Sequence, residues 1–172
     1  MPKTASDILL DLEAIKQLKA RYCRYLDTKQ WDAFLSLFAE DARFDGFASA
    51  PSGSDAKTFV KGVSTRLKDA ITKHHCHTPD IVFLDDARAR AIWAMEDYLE
   101  WPVPTGNPDA PNSRGMYGFG HYEEEYRKID GIWKMAHLRL IRARLIPLPD
   151  DHPMAAKPAI FASMEWLKGA SV

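Results

Sequence analysis

His74-His75-Cys76-His77 is the densest run of titratable side chains in the sequence, and it admits two chemistries, metal ligation and proton transfer. Neighbours on a strand face opposite ways, so only His75 and His77 can share a metal, with His74 and Cys76 turned away. A His-x-His metal strand calls for a glutamate a few residues later, and those positions hold Ile81, Val82 and Phe83. No metal is therefore expected, and His74 and His75 read as histidines hydrogen-bonded in or beside the core. Alternation groups His75 and His77 with Ile81 and Phe83, and Thr78-Pro79 holds the chain extended there. His77, among inward apolar positions, is the expected general base, since an imidazole titrates near neutrality.

A base in an apolar pocket needs a carboxylate to orient its ring. Asp27, at the break after a largely apolar helix face, is the candidate, although by itself it reads as a plain helix-terminus residue. Asp97 alternates with Trp93, Met95, Leu99 and Trp101, and a carboxylate in such company is either paired or functional. Arg142 shares a face with Leu138, Leu140 and Ile146. Asp97 and Arg142 can pair with each other or act on a substrate. Tyr22 sits at helical spacing among core residues, and its hydroxyl must find a partner. Gly115, Gly118 and Gly120 lack the order and context of a dinucleotide fingerprint; no phosphate loop and no Gly-x-Ser-x-Gly elbow occur. A cofactor-independent reaction is expected.

The elements that must hold these residues follow from periodicity. Ser6 and Asp7 open a long amphipathic helix through Leu9, Leu12, Ile15, Leu18, Tyr22 and Leu26, ending near Asp27-Thr28-Lys29. Trp31, Phe34, Leu35 and Phe38 predict a second short helix, and Ala42 to Gly46 a brief strand. Phe59, Val60, Val63, Leu67 and Ile71 predict a third helix ending near Thr72. The pattern then alternates: a strand ends at Leu84-Asp85-Asp86, and long strands run over 87–103, 114–129 and 132–146, the last two joined by Asp130-Gly131. Pro102 to Asn112, with four of the eleven prolines, is an excursion. A last helical piece is expected over 158–168. Helices first and long strands afterwards give an α+β class with a curled antiparallel or mixed sheet around N-terminal helices, a cone whose mouth is a natural ligand site.

The chain of 172 residues is expected to form one domain, with a core over about 6–146 and an extension over 147–172 that covers the pocket or an interface. A net charge of −1, from 23 basic and 24 acidic residues, gives no reason to expect nucleic acid or an anionic membrane as partner. Two cysteines, Cys23 and Cys76, and a start without an apolar signal core suggest a cytoplasmic protein with reduced thiols.

The string from Leu12 to Tyr22, then Leu26-Asp27, Trp31-Asp32, His77-Thr78-Pro79-Asp80, the strand around Glu96-Asp97 and Tyr126 to Trp133 together resemble the SnoaL-like family of the nuclear transport factor 2 superfamily. The likeness covers most of the chain, and bile-acid 7α-dehydratase and scytalone dehydratase are the functional relatives it suggests. The resemblance implies a SnoaL-like α+β barrel and a lyase, with dehydration favoured over loss of halide or an aldehyde fragment. It places the pocket tyrosine on Tyr22, the orienting aspartate on Asp27, the base on His77, and the substrate-positioning pair on Asp97 and Arg142. Trp101, Tyr117 and Phe119 would then line the mouth for a flat hydrophobic substrate, polycyclic or aromatic. Relatives suggest a homo-oligomer, trimer or dimer. The same scaffold also supports isomerases and cyclases, and non-catalytic ligand-binding or assembly subunits.

Overall fold

In the computed structural model, which describes residues 3–153 and 164–167, the first helix, α1 (Ala5–Asp27), begins slightly before the Ser6-Asp7 start that the sequence suggests. Thr4 is the N-cap: its hydroxyl accepts from the Asp7 N–H while the Asp7 carboxylate accepts from the Thr4 N–H, a reciprocal capping box. The helix runs unbroken to Asp27 and stops where Lys29 takes a left-handed backbone (φ 60°). A short α2 (Trp31–Leu35) leads into β1 (Phe38–Asp45), and α3 (Ala56–Leu67) starts at Asp55, whose carboxylate caps the Thr58 N–H. Four long strands follow: β2 (Ile71–Phe83), β3 (Arg88–Glu100), β4 (Gly115–Ile129) and β5 (Ile132–Pro147).

They form one sheet in the order β1-β5-β4-β3-β2, antiparallel throughout except where β1 runs parallel to β5. Asp130 and Gly131, both at positive φ, make the two-residue turn between β4 and β5. The sheet curls over α1, which buries Ile15, Leu18, Tyr22 and Leu26 against it. Beneath α1 the packing is aromatic: Tyr22, Phe34, Phe38, Phe44, Phe59 and Tyr122 contact one another, with Phe44 and Phe59 stacked at 4.0 Å. Two buried polar clusters fix α1 on the sheet. Asp11 accepts from Lys3, Lys128 and the Trp133 indole, and Lys19 pairs with Glu124 while lying over the rings of Tyr22 and Tyr122.

Bulges decide which side chains face the interior, and two of them bear on the site. In β2 the pairing with β3 shifts between His77 and Asp80, at Thr78 (φ 37°), so the more shielded positions are even-numbered before the bulge (Thr72, His74, Cys76) and odd-numbered after it (Pro79, Ile81, Phe83). In β5 a residue is inserted at Ala143, since Gly120 pairs with Arg142 but Phe119 with Arg144. The α+β class expected from the sequence is the one observed. The expected helix over 158–168 falls largely outside the described residues, of which Met164–Leu167 form one 3₁₀ turn. Residues 148–152 lie along the sheet end: the buried Leu148 donates its N–H to the Gly115 carbonyl, and His152 stands 3.1 Å from the Tyr98 hydroxyl.

Candidate active site

The last residue of α1 supplies the carboxylate around which the site is built. Asp27 sits at the negative end of the helix, where an anion is disfavoured, and the compensation comes from β2. Its Oδ1 accepts from the Thr72 hydroxyl at 3.0 Å, its Oδ2 accepts from the His74 backbone N–H at 3.0 Å, and the His74 ring nitrogen Nδ1 lies 2.7 Å from Oδ1. Lys29 completes the group, donating to Thr72 Oγ1 at 2.9 Å. Burial lowers the Lys29 ammonium to about 8, against the opposing pull of the Asp27 charge. No kink in α1 is needed to bring Asp27 inward. Tyr25, Leu26 and Asp27 are all buried, because β2 covers the side of the last turn that the aromatic core does not.

His74 is 6 % exposed, whereas the His77 side chain is 52 % exposed. His74 therefore occupies the position expected for His77. The alternation that places Ile81 and Phe83 inward cannot be carried back through the bulge; one extra residue moves His75 and His77 to the outer face and His74 to the inner one. With Nδ1 of His74 committed to Asp27, Nε2 is the nitrogen left for chemistry, and it stands 3.9 Å from Asp97 Oδ2.

Asp97 and Arg142 pair through two hydrogen bonds of 2.6 and 2.5 Å. They belong to β3 and β5, with β4 between them, and they meet because the intervening residue is Gly118. A Cβ there would lie 1.9 Å from Arg142 Nη1 and 2.2 Å from Asp97 Oδ1. The glycine therefore keeps the space in which the carboxylate and guanidinium meet.

His74, Asp97 and Arg142 line a cavity of about 240 Å³ together with Tyr22, Tyr122 and Trp101. The rest of its wall is mainly apolar, drawn from α3, the loop after β1 and the inner faces of β3 to β5. Burial raises the Tyr22 phenol well above its ordinary range, with the Glu124 charge acting in the same direction, so the hydroxyl stays protonated. Trp101 is held by its indole N–H, which donates to the Arg66 carbonyl at 2.9 Å. Tyr117 and Phe119, expected at the mouth, instead point outward from β4, because Gly118 and Gly120 take the inner positions beside them. Leu145 likewise reaches the cavity in place of Ile146, on account of the bulge at Ala143. Five of the expected residues (Tyr22, Asp27, Asp97, Trp101 and Arg142) gather with His74; His77, Tyr117 and Phe119 do not.

Thr72, Lys29 and Gly118 were not anticipated. Thr72 lies two residues before His74 on the same face of β2, so correct parity would have exposed it. Cys23 and Cys76 are free thiols whose sulfurs stand 3.5 Å apart between α1 and β2.

Comparisons with known proteins give the same fold. A model of the SnoaL-like domain matches residues 7–139. The "Probable cyclase FGR4" of Gibberella zeae is 28 % identical over 138 residues, covering 74 % of this chain and 88 % of that protein. Among solved structures, a type 2 hexachlorocyclohexane dehydrochlorinase (LinA) superposes with a TM-score of 0.73 at 18 % identity, covering 91 % of this chain and all of the other. A candidate scytalone dehydratase from Novosphingobium aromaticivorans superposes with a TM-score of 0.71 at 20 % identity, over 93 % of this chain and all of its own.

Proposed function

The chain belongs to the SnoaL-like family, and on that premise we propose that it is a cofactor-independent lyase in which His74, held by Asp27, removes a proton from carbon and a leaving group departs. The observation that carries this reading is the division of the His74 ring. Nδ1 is bound to a carboxylate that also accepts two other hydrogen bonds, and Nε2, 3.9 Å from Asp97 Oδ2, is left for chemistry at the cavity that His74 and Asp97 line. Asp27 fixes the tautomer and balances the imidazolium that forms. The Tyr22 phenol, kept protonated by burial, donates toward the leaving or enolising oxygen. Arg142 supplies positive charge at the cavity wall, and its pairing with Asp97 orients it.

The cavity, with room for about eight water molecules, fits a substrate of one or two rings better than a larger polycycle. Water is the favoured leaving group and halide the next. The likeness to a cyclase supports a second reading, in which the carbanion formed at His74 attacks an internal electrophile and nothing is expelled. Product mass separates the two: elimination yields a product lighter by water or hydrogen halide, whereas cyclisation or isomerisation yields one of unchanged mass. No helix among the described residues is long and apolar enough to cross a membrane. Cytoplasmic residence and assembly as a trimer or dimer belong to the same proposal. Gel filtration coupled to light scattering tests the assembly.

A further inference from the structure

The bulge that sends His74 inward leaves two histidines on the outer face of β2, and the proposed reaction uses neither. His75 and His77 lie two residues apart on the same face of β2, with ring centroids 5.7 Å from each other. Directly opposite His75 on β3 stands Glu96. A single carboxylate oxygen, Glu96 Oε1, is 3.2 Å from His75 Nδ1 and 3.4 Å from His77 Nε2, and the three donor atoms lie within 4.8 Å of one another. The glutamate missing from the residues after His77 is thus supplied by the neighbouring strand.

We propose that His75, His77 and Glu96 form a binding site for a borderline divalent transition-metal ion, Zn²⁺ above all, on the outer face of the sheet. The argument is geometric. Ligands at about 2.0–2.1 Å from a tetrahedral zinc are separated by about 3.4 Å, which is the separation of the carboxylate oxygen from each imidazole nitrogen here. Only the gap between the two imidazoles has to close, and both side chains are about half exposed and free to turn. Two imidazoles and one carboxylate are a donor set that Zn²⁺, Cu²⁺ and Ni²⁺ favour and Mg²⁺ does not. Ala94, opposite His77 on β3, contributes only a methyl group, so the fourth position stays open to water. The ion would tie β2 to β3 at the rung adjoining His74 and Asp97, which occupy the inner face of the same two strands. The site does not depend on the reaction assigned to the cavity, and its test involves no turnover.

The experiment is calorimetric titration of the untagged, chelator-treated protein with ZnCl₂ and, separately, MgCl₂. One equivalent of Zn²⁺ is expected to bind, with no heat from Mg²⁺. The double variant H75A/H77A should bind Zn²⁺ at least about a hundredfold more weakly, and Glu96→Gln at least about tenfold. His137→Ala, which alters a histidine on β5, three strands from β2 and bound to Asp45, should bind like the parent. Circular dichroism establishes that each variant is folded. Co²⁺ provides a second readout, because a tetrahedral site gives it strong visible absorption that H75A/H77A would lose. Absence of Zn²⁺ binding in the parent protein overturns the proposal, as does undiminished one-equivalent binding in H75A/H77A.

Discussion

Asp27 and His74 are joined twice, once by the backbone N–H of His74 and once by its ring, so the carboxylate fixes both the strand and the imidazole it carries. A base held at two points cannot rotate away from the cavity, which is the preorganisation that proton abstraction from carbon requires. His74→Ala is expected to lower turnover of an identified substrate by about 10²–10⁴-fold. Asp27→Asn should do so to a smaller degree, by removing the charge that balances the imidazolium. The loss at His74 should exceed that at His77 by at least about a hundredfold, and steady-state kinetics of the two alanine variants settle the order. A larger loss at His77 would remove the dyad assigned here.

Gly118 predicts the outcome of adding one methyl group. In Gly118→Ala the new Cβ would intrude on both Arg142 Nη1 and Asp97 Oδ1, and the short Asp97 side chain on its buried strand has little room to retreat. The variant should lose about 1–3 kcal/mol of stability in urea unfolding, and turnover should fall because Arg142 is displaced from the cavity wall. An unchanged unfolding midpoint would show that the pair does not depend on the space the glycine leaves.

The Asp97–Arg142 pair should behave non-additively. Arg142→Met leaves a carboxylate that is 3 % exposed without its partner, and a cost of about 2–4 kcal/mol is expected, moderated because the guanidinium itself reaches solvent. Adding Asp97→Asn should restore part of that loss. Urea denaturation of the two single variants and the double variant closes the cycle, with a coupling of about 1–3 kcal/mol expected.

Much of this was legible before the structure, for reasons that particular residues make plain. Trp93, Met95, Asp97 and Leu99 lie on a strand without a bulge, and Trp101 follows directly after its end, so simple alternation assigns their faces correctly. Asp130-Gly131 marked its turn because only that backbone needs positive φ at both positions. His77, Tyr117, Phe119 and Ile146 were misplaced for two physical reasons. Bulges at Thr78 and Ala143 reverse parity without any local sequence mark, and the glycines of β4 hold inner positions that a hydrophobicity pattern reads as empty. Glu96 meets His75 and His77 through sheet pairing, which sequence distance does not reveal.

Asp11 should make stability depend on acid pH. Burial alone would raise its carboxyl, but hydrogen bonds from Lys128, Lys3 and Trp133 outweigh that and hold it at about 2, against 3.8 for the free group. The folded state therefore binds this proton less readily than the unfolded one. The stabilisation is complete above about pH 4 and is lost as pH falls toward 2, a contribution of about 2 kcal/mol. Urea unfolding of the parent protein and Asp11→Asn should differ by at least that amount at pH 7, and the difference should shrink below pH 3. A gap that persists at pH 2 would place the effect of Asp11 in packing instead of charge.

The bulge at Thr78 sorts one residue type into two environments. Upstream of it, three histidines within four positions divide between a dry interior (His74) and open water (His75 and His77), so neighbours of the same chemistry are left with unrelated tasks. Loss of a single residue between His77 and Asp80 would not simply shorten β2. With the strand anchored by Ile81 and Phe83, it would rotate the wet histidines inward and turn His74 outward, exchanging base for ligand in one step. A point deletion there is a change of function before it is a change of fold.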